Sequence, residues 1–96
     1  MTILRIEHPV VDYLAWKGAF DRDPVGRAAG GVRSYRVQRP VDDTRTVVID
    51  LEFDDRPRAE AFRVALETLW RSPEARQAIE GTPTVRVLES VDAATC

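Results

Sequence analysis

The order of apolar and polar residues along the chain predicts four strands and two main helices. Four segments alternate with a period of two, which is typical of half-buried strands. They are residues 2–8, 32–39, 45–53 and 84–91. Residues 10–20 and the segment after residue 57 instead carry their apolar side chains at helical spacing. Two further short helical pieces are expected to start at Asp23-Pro24 and at Ser72-Pro73, where a capping residue precedes a proline.

This order of elements, β-α-β-β-α-β, predicts an α+β fold of the ferredoxin-like type. In that fold both helices cover one face of a four-stranded antiparallel sheet, and the other face stays uncovered. The 96 residues suffice for one domain, which we expect to span residues 1–91, with residues 92–96 as a disordered tail. Because so short a chain buries a limited core, association is a plausible additional source of stability.

The uncovered face of the predicted sheet carries balanced charges. In the first strand Leu4 and Ile6 are expected to point towards the helices, which leaves the residues between them on the open face. The charged residues assigned to this face are Arg5, Glu7, Arg36, Asp50, Glu52 and Arg86. Two interpretations remain open: a solvated sheet face, or a surface that pairs with its own copy across a two-fold axis, where opposite charges complement one another. The second predicts a homodimer with these six residues at its interface.

Composition excludes several classes of function. The formal net charge of −2 comes from interspersed acids and bases, whereas nucleic-acid binding usually needs a basic stripe. The sequence contains neither an apolar run near the roughly 20 residues that span a bilayer nor an N-terminal leader pattern. Cys96 is the single cysteine, so no internal disulfide is possible. We therefore expect a cytoplasmic protein with no nucleic-acid or membrane partner.

One group of residues could form a small-molecule site between the sheet and the first helix. His8 ends the first strand on the helix-facing side, and three aromatic residues follow at spacings of three and four. The candidate ligand-binding residues are Tyr13, Trp16, Phe20, Arg27, Tyr35 and Arg39. Apolar walls with a few convergent polar groups are the usual anatomy of such a site. The alternative is that the aromatic residues are ordinary core.

His8 is the candidate catalytic residue, because histidine titrates near neutral pH. It could equally be a hydrogen-bonded residue at a strand end. Arg27 could grip an anionic group of a ligand or could tie down its own loop by pairing with Asp21 or Asp23. No metal-ligand spacing, nucleophile triad or phosphate-binding glycine loop is present, so we expect no metal and no cofactor.

The chain resembles the dimeric α/β-barrel superfamily, and in particular small uncharacterised bacterial members related to antibiotic-biosynthesis monooxygenases and polyketide cyclases. The resemblance rests on three segments. They are EHPVVDYLAWKGAFDRDPVGRAAGGVRSYRV from Glu7, RPVDD from Arg39 and VVIDLEFDD from Val47. It implies that two ferredoxin-like protomers pack sheet against sheet into a closed barrel.

The resemblance also implies candidate activities. Monooxygenases of this superfamily use a Trp, a Tyr and an Arg around an apolar cavity, which would correspond to Trp16, Tyr35 and either Arg27 or Arg39. They also use an asparagine, and this sequence contains none. Two hypotheses follow: a dimeric domain that binds a small hydrophobic ligand without catalysis, and a cofactor-independent monooxygenase or cyclase that acts on an aromatic or polyketide-like substrate with His8 as the proton-transfer group.

Overall fold

A computed structural model describes residues 1–96 of the chain. The strands are β1 (Thr2–Pro9), β2 (Ser34–Gln38), β3 (Thr46–Phe53) and β4 (Thr84–Glu89), and the helices are α1 (Tyr13–Asp21), α2 (Arg56–Trp70) and α3 (Pro73–Ala78). The strands form one antiparallel sheet in the order β2-β3-β1-β4. This is the ferredoxin-like α+β fold that the sequence predicts.

The hydrophobic core lies between the helices and the two central strands. Residues of β1 and β3 alternate between buried and more exposed positions, as the period of a strand requires. The buried apolar residues of the core are Leu4, Ile6, Val10, Trp16, Val47, Ile49, Leu51, Phe53, Ala59 and Phe62. Only ten residues make up this core, so each of them carries a large share of the stability.

The strand register agrees with the predicted faces of the two edge strands. Tyr35 pairs with Leu51 in β3, and Val87 pairs with Leu4 in β1. Because directly opposed residues in an antiparallel sheet point to the same side, Tyr35 and Val87 face the helices. Arg36 and Arg86 therefore lie on the open face.

Side-chain caps set the starts of all three helices. Asp12, Asp55 and Ser72 each accept a hydrogen bond from the backbone N–H three residues on. The first helix consequently begins at Tyr13, three residues later than predicted, because Val10 instead forms a β-bridge with Ile79 and Val11 lies in a bend. Val10 and Val11 donate backbone hydrogen bonds to the carbonyls of Arg45 (2.7 Å) and Ala78 (3.2 Å).

The connection between α1 and β2 differs from its prediction. Asp23-Pro24 starts a series of turns instead of a helical piece, and Asp23 adopts a left-handed conformation with φ of 53°. Its carboxylate still caps the loop locally, since it accepts a hydrogen bond of 2.8 Å from the backbone N–H of Arg27. At the end of this connection Gly30 packs so closely on Phe62 that an added Cβ would lie 2.5 Å from the ring.

Candidate functional site

A cavity of about 450 Å³ lies between the sheet and the helices. It exists because α1 and α2 stay apart, with no pair of their Cα atoms within 8 Å. The floor consists of Ile6, His8, Ile49 and Leu51, and the walls come from all three helices and the connection that follows α1. The lining is mostly apolar, and its volume falls in the range typical of small-molecule sites.

His8 is a buried polar group in the cavity lining, with 2% of its surface exposed. Its position follows from the β1 pattern, which directs residues 2, 4, 6 and 8 towards the helices. Its Nδ1 lies 3.0 Å from the carbonyl oxygen of Pro9. Because a carbonyl can only accept, Nδ1 carries the proton and Nε2 has a lone pair. Nε2 makes no hydrogen bond to another group of the protein.

Burial lowers the pKa of His8 below its ordinary value, and the hydrogen bond to Pro9 offsets this only in part. The imidazole is therefore neutral at pH 7, with Nε2 available as a hydrogen-bond or proton acceptor. The ring meets the edge of Trp16 at a centroid distance of 5.8 Å. Trp16 is itself buried, so this contact holds the imidazole against the apolar wall.

Trp16 and Phe20 line the cavity from α1, as the sequence predicts for a pocket wall. They lie one helical turn apart and stack at 5.1 Å between centroids. Trp16 also belongs to the hydrophobic core, and Phe20 packs against it. The two interpretations of the aromatic stripe are thus not exclusive, because the same side chains support the helix and face the cavity.

Arg27 also lines the cavity, and its guanidinium is engaged with the loop. Nη1 donates a 2.8 Å hydrogen bond to the carbonyl of Phe20 and lies 3.7 Å from the carboxylate of Asp23. The guanidinium carbon lies 4.0 Å from the centroid of the Phe20 ring and 4.9 Å from that of Tyr35. These contacts match the loop-tying interpretation of Arg27, with Asp23 as its partner. Asp21 pairs with Lys17 instead.

Three of the predicted site residues lie outside the cavity lining. Tyr35 is 47% exposed and meets Phe20 edge to face at 5.0 Å. Tyr13 packs on Trp16 at 6.0 Å, and the guanidinium of Arg39 lies 5.0 Å from the Tyr13 ring. Tyr35 and Tyr13 therefore pack against the aromatic residues that line the cavity, and Arg39 packs against Tyr13. None of the three lines the cavity itself.

Sequence reasoning missed the second wall, which α2 and α3 supply. The apolar residues of this wall are Phe62, Leu66, Leu69, Trp70, Ala75, Ala78 and Ile79. The periodicity of α2 indicates an apolar face but does not distinguish a face that packs on the sheet from one that borders a cavity. Trp70, a large aromatic residue at the last position of α2, was the available signal.

The mouth of the cavity is polar. Among the lining residues only Arg22, Pro24 and Glu74 are exposed, so the cavity opens to solvent between the α1–β2 connection and the start of α3. Asp23 and Ser72 lie beside them. The interior thus offers one unpaired acceptor, at His8, while the charged groups gather at the entrance.

The six charged residues assigned to the open face all lie there. Arg5 pairs in register with Asp50 on one side and with Arg86 on the other. Its guanidinium forms two hydrogen bonds of 2.8 Å to the Asp50 carboxylate. Glu52 pairs in register with Ser34, and Arg36 pairs with Asp50. The face therefore combines one well-formed ion pair with several charges open to solvent or to another surface.

Two further observations describe what the structure contains. No group of three or more His, Cys, Asp or Glu side chains is arranged so that it could hold a metal ion. None of the helices combines the length and the apolar character needed to cross a bilayer.

Comparison with known proteins locates the fold and leaves the activity open. No protein-family model matches the sequence, and no curated protein matches it significantly. Among solved structures, the chain is similar to SnoaB, a cofactor-independent oxygenase from Streptomyces nogalater, with a TM-score of 0.72 and 18% identity over 96% of this chain and 94% of SnoaB.

Two other structures share this architecture. A candidate antibiotic biosynthesis monooxygenase from Nitrosomonas europaea matches with a TM-score of 0.70 and 14% identity, over 96% of this chain and all of that one. A dimeric ferredoxin-like protein from an uncultured marine organism matches with a TM-score of 0.63 and 16% identity, over 97% and 98% of the two chains. At such identities the likeness establishes the ferredoxin-like fold that the sequence resemblance implied.

Proposed function

We propose that the protein binds a small hydrophobic ligand in the cavity between α1 and α2, with a ligand hydroxyl hydrogen-bonded to Nε2 of His8. One observation carries the proposal: a largely apolar cavity of about 450 Å³ contains a buried, neutral histidine whose Nε2 has no partner in the protein. Nε2 is not among the buried side-chain atoms that lack a hydrogen-bond partner, so it is accessible and free to accept a hydrogen bond from a ligand donor. The flat faces of Trp16 and Phe20 favour an aromatic body for such a ligand.

Fluorescence titration tests this proposal, with 8-anilinonaphthalene-1-sulfonate as an aromatic probe. We expect saturable one-to-one binding that weakens roughly tenfold in Trp16→Leu, since the stacked aromatic contact is lost. Leu14→Ala, on the exposed side of the same helix, is the matched control and should bind as the wild type does. Ala19→Leu adds carbon atoms to the cavity wall without removing a core residue. Undiminished binding in both Trp16→Leu and Ala19→Leu would contradict the proposal.

A second candidate function is catalysis without a cofactor, as a monooxygenase or cyclase acting on an aromatic or polyketide-like substrate. The position of His8 favours it, because a neutral imidazole with an accessible lone pair can take a proton from an acidic hydroxyl or C–H group of a bound substrate. The structural similarity to SnoaB, a cofactor-independent oxygenase, supports this candidate, because it shows that a protein with this fold can act without a cofactor.

Substitution of His8 separates the two functions. Catalysis predicts that His8→Ala abolishes product formation and oxygen consumption with hydroxylated polycyclic aromatic compounds while the oligomeric state persists. Binding alone predicts no product from the wild type, with affinity lowered by Trp16→Ala and also by His8→Ala, which removes the Nε2 acceptor. A His8→Ala variant with full turnover would exclude His8 as the proton-transfer group.

We further propose that two copies pair through their open sheet faces as a homodimer. The balanced charges of this face support it, since Arg5, Arg36 and Arg86 can meet Glu7, Asp50 and Glu52 of a second copy. The similarity to a dimeric ferredoxin-like protein is consistent with this arrangement. Sedimentation equilibrium should give twice the chain mass for the wild type and a lower mass for Arg5→Glu. A wild type that sediments as a monomer would contradict the proposal.

A further inference from the structure

The two main helices are attached to the fold to different degrees. Cα atoms of α2 approach within 8 Å of those of β1, β3, β4 and α3, whereas α1 comes that close only to α3. No strand lies within this distance of α1. The side chains of Trp16, Phe20 and Tyr13 bridge the gap, and Trp16 is the only buried residue of the helix. The backbone of α1 is therefore separated from the sheet by a layer of aromatic side chains.

One hydrogen bond ties α1 to a more distant part of the chain. The helix bonds to its own flanking residues, Asp12, Arg22 and Asp23. Beyond these, its sole hydrogen bond comes from Arg27, whose Nη1 donates to the Phe20 carbonyl at 2.8 Å. The same guanidinium stacks on Phe20 and Tyr35, so it clamps the last turn of α1 to β2.

The opposite end of α1 is fixed. Val10 and Val11 are held by backbone hydrogen bonds to residues 45 and 78, immediately before the helix. The other boundary of the segment has a backbone suited to a hinge, because Gly26 has a φ of 82°. Trp16, Ala19 and Phe20 of α1, with Arg22 and Pro24 after it, cover the cavity as far as its mouth. An outward movement of this segment would uncover the cavity.

We propose that α1 and the connection up to Gly26 form a movable cover over the cavity, with Arg27 as its latch. The role of the cover in ligand entry rests on the proposed binding function, but its movement does not. Release of the Arg27–Phe20 hydrogen bond lets the last turn of α1 swing away from β2 while residues 10 and 11 stay pinned. A ligand enters beneath Phe20, and the latch re-forms over it.

Native-state hydrogen exchange followed by mass spectrometry tests the movement without any ligand. In the wild type, we expect amides of α1 to exchange faster than those of β1 and β3, through local opening. Arg27→Met should speed exchange in α1 about tenfold further, as expected for loss of a charge-assisted hydrogen bond. Exchange in β1 and β3 should stay unchanged, which separates release of the cover from general destabilisation.

Arg39→Met is the matched control, because Arg39 also stacks on an aromatic residue of α1, Tyr13, but makes no hydrogen bond to the helix. It should leave exchange in α1 within about twofold of the wild type. The proposal is overturned if α1 exchanges in step with the central strands in the wild type, or if Arg27→Met and Arg39→Met have equal effects.

Stopped-flow binding of 8-anilinonaphthalene-1-sulfonate then connects the movement to entry. Arg27→Met should raise the association rate severalfold if release of the latch limits entry, and Arg39→Met should not. Equal association rates in all three proteins would overturn the role in entry while leaving the exchange result intact. If the probe does not bind the wild type at all, the proposed binding function fails, and hydrogen exchange still decides whether the cover moves.

Discussion

The two faces of the sheet are built from alternate residues of the same strands, yet they obey different rules. On the covered face of β1, Leu4, Ile6 and His8 are each at most 3% exposed. On the open face of the same strand, Arg5 and Glu7 remain exposed. Charges are acceptable on the open face because solvent or a complementary surface satisfies them. The covered face of β1 excludes them, so His8, the one titratable residue of this strand that points towards the helices, stands out.

This contrast makes the covered face the stronger candidate for a functional site. A neutral histidine among buried apolar residues needs a reason, and the cavity beside it supplies one. The open face needs only charge balance, which both solvent and a second copy of the chain can provide. Experiments that treat corresponding positions of the two faces differently can therefore test the assignment of each face.

The largest contrast is expected between Leu51→Ala and Val48→Ala, which lie on opposite faces of β3. Leu51 is 2% exposed, so its truncation removes core contacts and should lower the free energy of unfolding by about 2–5 kcal/mol. Val48 is half-buried on the open face, and its truncation should cost less than about 1 kcal/mol in the monomer. Urea denaturation at low protein concentration measures both. Equal losses would mean that the open face is as closely packed as the covered one.

These face assignments were largely predictable from the sequence. Strand alternation places Leu51 inwards and Asp50 outwards, and the register of β2 and β4 confirms the predicted orientation of Tyr35, Val37, Val85 and Val87. Such predictions succeed because a shift of one residue would exchange the two faces of a strand, at a large energetic cost.

The candidate site was predictable only in part. His8, Trp16 and Phe20 follow from local periodicity, and they line the cavity. The wall formed by Leu66, Leu69 and Trp70 depends on how far α2 stands from α1, a tertiary distance that no local pattern encodes. An Asp followed by a Pro at residues 23 and 24 predicts a helix start, but the same pair also suits turns. The helical prediction for this connection was wrong for that reason.

The next largest effect is expected from Gly30→Ala, which tests how tightly the covered face is filled. The added Cβ would lie 2.5 Å from the Phe62 ring, so Phe62 must shift, and it borders the cavity. We expect a loss of about 1–3 kcal/mol in the free energy of unfolding, together with weaker binding of the aromatic probe.

Gly18→Ala is the matched control for Gly30→Ala. There the nearest atom to the added Cβ is Nη1 of Arg22, at 3.9 Å. This change should stabilise the protein by about 0.5–1 kcal/mol through helix propensity. Chemical denaturation of both variants checks the pair. If Gly30→Ala does not change the free energy of unfolding, the covered face beside the cavity is not tightly packed.

A smaller effect is expected from pH, through the titratable group of the covered face. Burial lowers the pKa of His8 in the folded state, so the unfolded chain binds the proton more readily. Stability is therefore fully present above the unfolded pKa of about 6.5 and decreases as the pH falls below it, by at most about 1.4 kcal/mol per pH unit. His8→Asn should remove this part of the pH dependence. A wild type and variant with parallel stability curves between pH 7 and pH 5 would contradict a buried, neutral His8.

The smallest effect is expected from the Arg5–Asp50 ion pair, and it bears on whether the open face is really open. With 46% of the Arg5 side chain and 16% of the Asp50 side chain exposed, solvent screens the pair. A double-mutant cycle of Arg5→Met and Asp50→Asn should give a coupling of only about 0.2–1 kcal/mol in the monomer, weaker at high salt. If a second copy covers this face, the same cycle at dimer-forming concentrations should give a larger, less salt-sensitive coupling, because desolvation strengthens the attraction. A coupling energy that does not change with protein concentration would indicate that the open face is in contact with solvent and not with a second copy. The two faces would then differ only in that one packs against the core and the other against water.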